Sequence, residues 1–205
     1  WVCLIALAQV FAYELGVREY FVANGRVERS VWTYAFSHLS VMHLVGNVAT
    51  LLYVGLSLEV HDGIRVVPVW FGGVVGGAIC HAVYYGSSSG VGLAGGSAGV
   101  YGVVLAHFAA IAFTPQSLSR SVYSAAMYAA LCAPPIAEYV VRNRTMSHAA
   151  HLGGALGGLC VGFVCLKNYH RERGTSALRT TALRIMGWVG IAALCTLGIR
   201  YVTVL

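Results

Sequence analysis

A chain of 205 residues that is 58% hydrophobic and only 10% charged is too apolar for a water-soluble domain, where about a quarter of residues carry charge. The same figures exclude a disordered chain, and six cysteines are too few for a disulfide scaffold. The net charge of +6 lies mostly between apolar runs, which suits an anionic membrane leaflet and not nucleic acid, so the reading is a polytopic membrane protein.

Crossing a bilayer as a helix takes about 20 mainly apolar residues. Seven runs are candidates, at 1–13, 36–58, 66–85, 97–113, 122–141, 148–166 and 182–205. The first is short and the chain begins at Trp1, so part of an N-terminal region is expected to be missing. Between the runs lie an amphipathic stretch (14–35), a turn (59–65), a Gly/Ser-rich loop (86–96), short links near 115–120 and 142–147, and a basic connector (167–181). No segment repeats at a period of 20–50 residues, so 1–205 reads as one all-α transmembrane bundle. The cysteines fall in or beside apolar runs without metal-ligand spacing and read as small core residues.

If every run spans, the links after the first, third and fifth share one face of the membrane. That face has Arg18, Arg26, Arg29, Arg142, Arg144 and Arg200. The other has Arg65, Arg120, Lys167, Arg171, Arg173, Arg179 and Arg184, and its dense cluster makes it the cytoplasmic candidate.

A polar side chain inside lipid must face the bundle interior or a water-filled cavity, so intramembrane His, Asn and Ser mark where function is to be sought. The second, fourth and sixth runs enter from the same, non-cytoplasmic face, and each carries such groups near its start: His38, His43 and Asn47; Ser97 and Tyr101; His148 and His151. His43 and Asn47 are four residues apart, as are Ser97 and Tyr101, so each pair shares a helix face. Below His151, Gly154 and Gly158 form a smooth strip for a neighbouring backbone. If that neighbour is the Ser97 helix, with its own Gly99 and Gly102, a serine hydroxyl meets an imidazole, which is the minimum for nucleophilic acyl transfer. The Ser97 N–H at a helix start, with the His43 and Asn47 side chains, would then serve a tetrahedral oxyanion.

Each such group taken alone is more often an interhelical hydrogen-bond partner. Zinc is not expected, because the histidines lack an HExxH pattern or an adjacent carboxylate. His61, His81, His107 and His170 are isolated and receive no role. Glu59 and Glu138 read as partners of loop donors. A proton-coupled transporter would need paired acids or broken half-helices, and the sequence offers no paired acid.

The pattern His38, His43, Asn47, the segment Gly95-Gly96-Ser97-Ala98-Gly99-Val100-Tyr101, and Ala150-His151-Leu152-Gly153-Gly154 with Gly158 together resemble the rhomboid intramembrane serine proteases. Three motifs in order, on alternate runs, make the resemblance specific, and it extends over essentially the whole chain. It implies a rhomboid-like fold of six core spans within about 1–168 and one further C-terminal span at about 182–205, as in secretase-type members. It implies Ser97 as nucleophile, His151 as base without a third acid, His43, Asn47 and the Ser97 amide around the oxyanion, and Tyr101 packed on the His151 ring. The 14–35 stretch would be the family's membrane-embedded first loop. No metal or cofactor is implied.

The same resemblance implies single-pass transmembrane substrates, growth-factor precursors among them, cut near the lumenal or exterior end of their helix. It implies a secretory-pathway location (Golgi, endosome or plasma membrane), with the site facing the lumen or exterior. Cutting requires an extended backbone, since a stable helix hides its carbonyls. Two positions depart from the family. Its Trp-Arg pair falls at Arg29 and Ser30, with Trp32 displaced, and Ala98 stands where Gly usually follows the nucleophile, so that a methyl is expected to narrow the space near the oxyanion. The alternative to an enzyme is a non-catalytic rhomboid-like adaptor that binds transmembrane clients. Such relatives generally lack the Ser or His present here.

Overall fold

The computed structural model describes residues 1–17, 21–22, 30–86, 92–113, 147–167 and 177–203. Helix α1 is Val2–Glu14. A short helix α2, Ser30–Thr33, runs into a 3-10 turn, Tyr34–Phe36. Helix α3 follows at Val41–Asp62, α4 at Val66–Tyr85, α5 at Ser97–Phe113, α6 at His148–Cys165 and α7 at Ala177–Thr203. A two-residue antiparallel ladder, not expected from the sequence, joins β1, Phe21–Val22, to β2, Gly92–Leu93. It ties the first loop to the loop that leads into α5.

The second apolar run does not become helical at its first residue. Ser40 is extended (φ −154°, ψ 162°) and its Oγ accepts the His43 N–H at 3.2 Å, an N-cap that starts α3 at Val41 and leaves His38 outside the helix. At the other end Gly63, at φ 61°, breaks the helix, and the 3-10 turn Gly63–Arg65 leads into α4. Pro68 sits in the first turn of α4, where the missing N–H costs no helical bond.

Among the described residues, three helical stretches are long and apolar enough to cross a membrane: Val41–Tyr85, which joins α3 to α4, His148–Cys165, and Ala177–Arg200. The shorter apolar helices Val2–Glu14 and Ser97–Phe113 match the expected first and fourth runs. The expected fifth run at 122–141 and most of the basic connector lie outside the described residues.

Helices α4, α5 and α6 meet backbone to backbone. A Cβ on Gly76 would lie 3.1 Å from Gly157 Cα, one on Gly73 would lie 3.0 Å from Gly99 Cα, and one on Gly102 would lie 2.9 Å from Gly73 Cα and 3.3 Å from Gly158 Cα. Lipid supplies no hydrophobic drive between apolar helices, so close packing of small residues takes its place. Around the seam Trp70, Tyr34, Phe113, Leu51 and Leu58 are fully buried.

The two ends of the bundle differ. The starts of α3, α5 and α6 and the end of α4 gather at one end, where His43, Gly95, Ala98, Ala150 and Gly77 lie together. At the opposite end the buried Asp62 accepts the Lys167 N–H at 2.7 Å, and Lys167 Nζ donates to the His61 carbonyl at 2.8 Å. Arg184 of α7 donates to the Phe163 and Leu166 carbonyls at 3.3 and 3.1 Å, satisfying the C-terminal end of α6. Its guanidinium also lies 5.4 Å from the Phe113 ring centroid.

Candidate active site

Ser97 opens α5, delivered by the turn Gly95-Gly96. Gly95 has φ +107°, a conformation that side chains disfavour, and its N–H donates to the Tyr34 carbonyl at 3.0 Å. The Tyr34 hydroxyl is itself fixed, donating to the Val74 carbonyl at 2.7 Å, so the turn hangs from the first-loop segment and through it from α4. His151 stands in the first turn of α6. Ser147 caps that turn, its carbonyl accepting the His151 N–H at 3.1 Å and its Oγ accepting the Ala150 N–H at 3.2 Å.

These local structures bring His151 Nε2 to 3.0 Å from Ser97 Oγ. The imidazole is 8% exposed, and the Tyr101 ring lies against it at 4.6 Å between centroids, tilted 37°. His151 Nδ1 is buried and has no hydrogen-bond partner among the described residues, so the contact seen on the ring's face is the stacked Tyr101.

His43 and Asn47 share one face of α3 and lie against Gly95, two residues before Ser97. A Cβ on Gly95 would be 2.8 Å from His43 Nε2 and 3.4 Å from Asn47 Nδ2. The buried Asn47 Nδ2 and His43 Nδ1 have no hydrogen-bond partner among the described residues. A buried donor left open in this way is one that a ligand group can use.

Gly154 and Gly158 face α5, against the backbone of Ala98 and Gly102 respectively. One expectation differs from what is found. Gly99 does not face α6: a Cβ there would lie 2.6 Å from Trp70 Cε2, so Gly99 seats α5 on α4. The Ala98 methyl packs on Gly77 of α4, where a second Cβ would lie 2.5 Å away. Successive helical residues are about 100° apart, which turns this methyl toward α4 while Ser97 faces His151. Gly77 thus makes the room that the extra methyl needs.

Two further residues lie near the site: His38, which belongs to the sequence pattern but carries no assigned role, and Gln9, which the pattern does not include. His38 accepts the Gly96 N–H at 3.5 Å through Nε2, and its ring meets His43 edge-on at 5.2 Å. Gln9 of α1 is fully buried beside Gly96, whose Cβ would lie 2.6 Å from Gln9 Oε1, and neither of its amide atoms has a hydrogen-bond partner among the described residues. A single amide in the apolar segment Ile5–Val10 was the only available sign. Residues 18–20 and 23–29 of the 14–35 stretch, Arg29 among them, lie outside the described residues.

The rhomboid domain model matches residues 26–168, most of the chain. The chain belongs to the rhomboid family. It is 28% identical over 173 residues to Rhomboid-related protein 1 of Caenorhabditis elegans, covering 80% of this chain and 48% of that protein. Rhomboid-related protein 3 of Homo sapiens is 31% identical over 166 residues, covering 74% of this chain and 40% of the relative. RHOMBOID-like protein 6, mitochondrial, of Arabidopsis thaliana is 27% identical over 153 residues, covering 71% and 46%. The chain therefore spans less than half the length of these relatives. Membership and the apolar helices make it an integral, multi-pass rhomboid with an all-α bundle.

Proposed function

We propose that this rhomboid is an intramembrane serine endopeptidase that cuts single-pass transmembrane proteins near the lumenal or exterior end of their helix. The observation that carries the reading is the 3.0 Å contact between Ser97 Oγ and His151 Nε2 under the Tyr101 ring. Ser97 Oγ attacks the scissile carbonyl carbon and a C–O bond forms, while the hydroxyl proton passes to His151 Nε2. The electron pair of the C=O bond moves to oxygen, where the Ser97 N–H, Asn47 Nδ2 and the His43 ring offer donors. Collapse breaks the C–N bond, and His151 returns the proton to the leaving amine. Water then repeats the sequence on the acyl-enzyme, with His151 again as base, and frees Ser97.

On this reading Gly154 and Gly158 hold the dyad at working distance, and α7 is the extra C-terminal span of secretase-type members. The end bearing the dyad faces the lumen or exterior in the secretory pathway, with growth-factor precursors among the substrates. This orientation agrees with the basic cluster from Lys167 to Arg184 on the cytoplasmic side.

The test is labelling of the purified protein with a fluorophosphonate, which forms a P–O bond to Ser97 and releases fluoride as the Ser97 proton passes to His151. Wild type should label, and Ser97→Ala and His151→Ala should not, with a chelator making no difference. No labelling of folded wild type, together with client capture indifferent to both substitutions, would move the assignment to an adaptor.

A further inference from the structure

Helix α4 carries none of the residues assigned to the chemistry, yet it packs against both helices that carry the dyad. Its Gly73 lies on Ala98–Gly102 of α5, its Gly76 on Gly153–Gly157 of α6, and its Gly77 beside Ala98 and the Ala150 carbonyl. One turn beyond Gly77 comes His81, fully buried, with Nδ1 2.7 Å from Ser147 Oγ and its ring 4.8 Å from that of Tyr85. Ser147 is the residue whose hydroxyl oxygen accepts the Ala150 N–H and whose carbonyl accepts the His151 N–H. A serine hydroxyl has one donor and two acceptor positions. Ser147 can therefore donate to the His81 ring while it caps α6, and both bonds are satisfied together.

A buried histidine inside a membrane helix requires a reason. None is visible in the sequence around His81, because its partner lies 66 residues away. We infer that His81 is a positioning residue for the proposed Ser97–His151 pair: through Ser147 it locks the first turn of α6 and so fixes where the His151 ring stands. This rests on the serine-hydrolase reading of the site. Two side chains in series, His81 and Ser147, which meets the backbone N–H groups of Ala150 and His151, convert the position of α4 into the position of the base. Ser147 alone would cap α6, but it would leave that turn free to swing about its own cap.

The experiment compares the full chain with His81→Leu, Ser147→Ala, the double variant and His81→Asn, whose amide takes up the place of Nδ1. The probe is a fluorophosphonate, read as a rate constant and, separately, as the fraction of protein finally labelled. Amide hydrogen exchange across 147–152 is measured on the same samples. In His81→Leu the rate constant should fall roughly 10- to 100-fold, the cost of about an ångström of misplacement, with the labelled fraction unchanged. Ser147→Ala should act likewise, the double variant should be no worse than either single variant, and His81→Asn should recover most of the rate. Exchange at Ala150 and His151 should rise while that of α7 stays unchanged. A loss confined to the labelled fraction would mean that His81 serves only folding, and it overturns the inference, as does an unchanged rate constant. Should wild type itself fail to label, the hydrolase reading fails separately. Exchange then decides the matter alone: equal protection in wild type and His81→Leu overturns the inference, and selective loss in the first turn of α6 supports it.

Discussion

Gly154→Ala adds one methyl group at the contact between α6 and α5. That methyl would sit 2.8 Å from both Cα and the carbonyl carbon of Ala98, the residue after Ser97. Ordinary carbon contacts lie near 3.5 Å or beyond, so α6 and α5 must part by about 0.7 Å or more at this level. The obstacle is backbone, which cannot rotate aside as a side-chain end would. Gly154 lies one turn below His151, so the separation is felt at the dyad and carries the 3.0 Å contact beyond hydrogen-bond range. Overpacking of this kind costs about 1–3 kcal/mol of stability. Misplacement of a base by about an ångström can cost on the order of 100-fold in rate. The assay is cleavage of a transmembrane peptide with a fluorescent reporter in proteoliposomes, alongside thermal unfolding in detergent. Gly154→Ala should lose about 100-fold in kcat while keeping KM. Cleavage within a factor of two of wild type with unaltered thermal stability would refute the packing argument, because it would mean that the two backbones are not in contact.

Asn47→Ala removes an open donor without touching the dyad, so kcat should drop roughly 10- to 1000-fold with KM little changed. Loss of substrate binding instead would place Asn47 elsewhere than at the developing charge, and steady-state kinetics separates the two. Arg184→Met should keep the packing of α7 but release the Phe163 and Leu166 carbonyls. Hydrogen bonds to charged groups contribute about 1.5–3 kcal/mol each, so a drop in detergent unfolding temperature of several degrees is expected, larger than any loss in cleavage. A variant as stable as wild type would show that those carbonyls find other donors.

The site was legible where its chemistry is local. His43 with Asn47 and Ser97 with Tyr101 share faces at helical spacing, and polar groups at the same depth in three runs pointed to one cavity. What stayed hidden depends on contacts far apart in sequence. Nothing near Gly153 and Gly157 tells that they face α4 while Gly154 and Gly158 face α5, since α6 has glycine on two sides. Ser40 sits inside an apolar run with no acidic residue after it, so its cap, and the exclusion of His38 from α3, could not be read locally. Gln9 and His81 each have neighbours supplied by another helix, and a single sequence holds no signal for that pairing. The direction of the Ala98 methyl required the position of α4.

The glycine seam has one more consequence. Side chains that interlock as knobs and holes resist sliding, whereas two glycine faces are nearly featureless along their length and lose no rotamer freedom when they meet. Such a contact fixes how far apart two helices lie but says little about how far along each other they have travelled. In this rhomboid the axial setting must come from directional bonds at the ends of the helices: His81 with Ser147 at one end, and Asp62 with Lys167 and Arg184 with the last carbonyls of α6 at the other. The seam is a ruler for distance, and the polar ends are the stops that keep α6 from shifting along it.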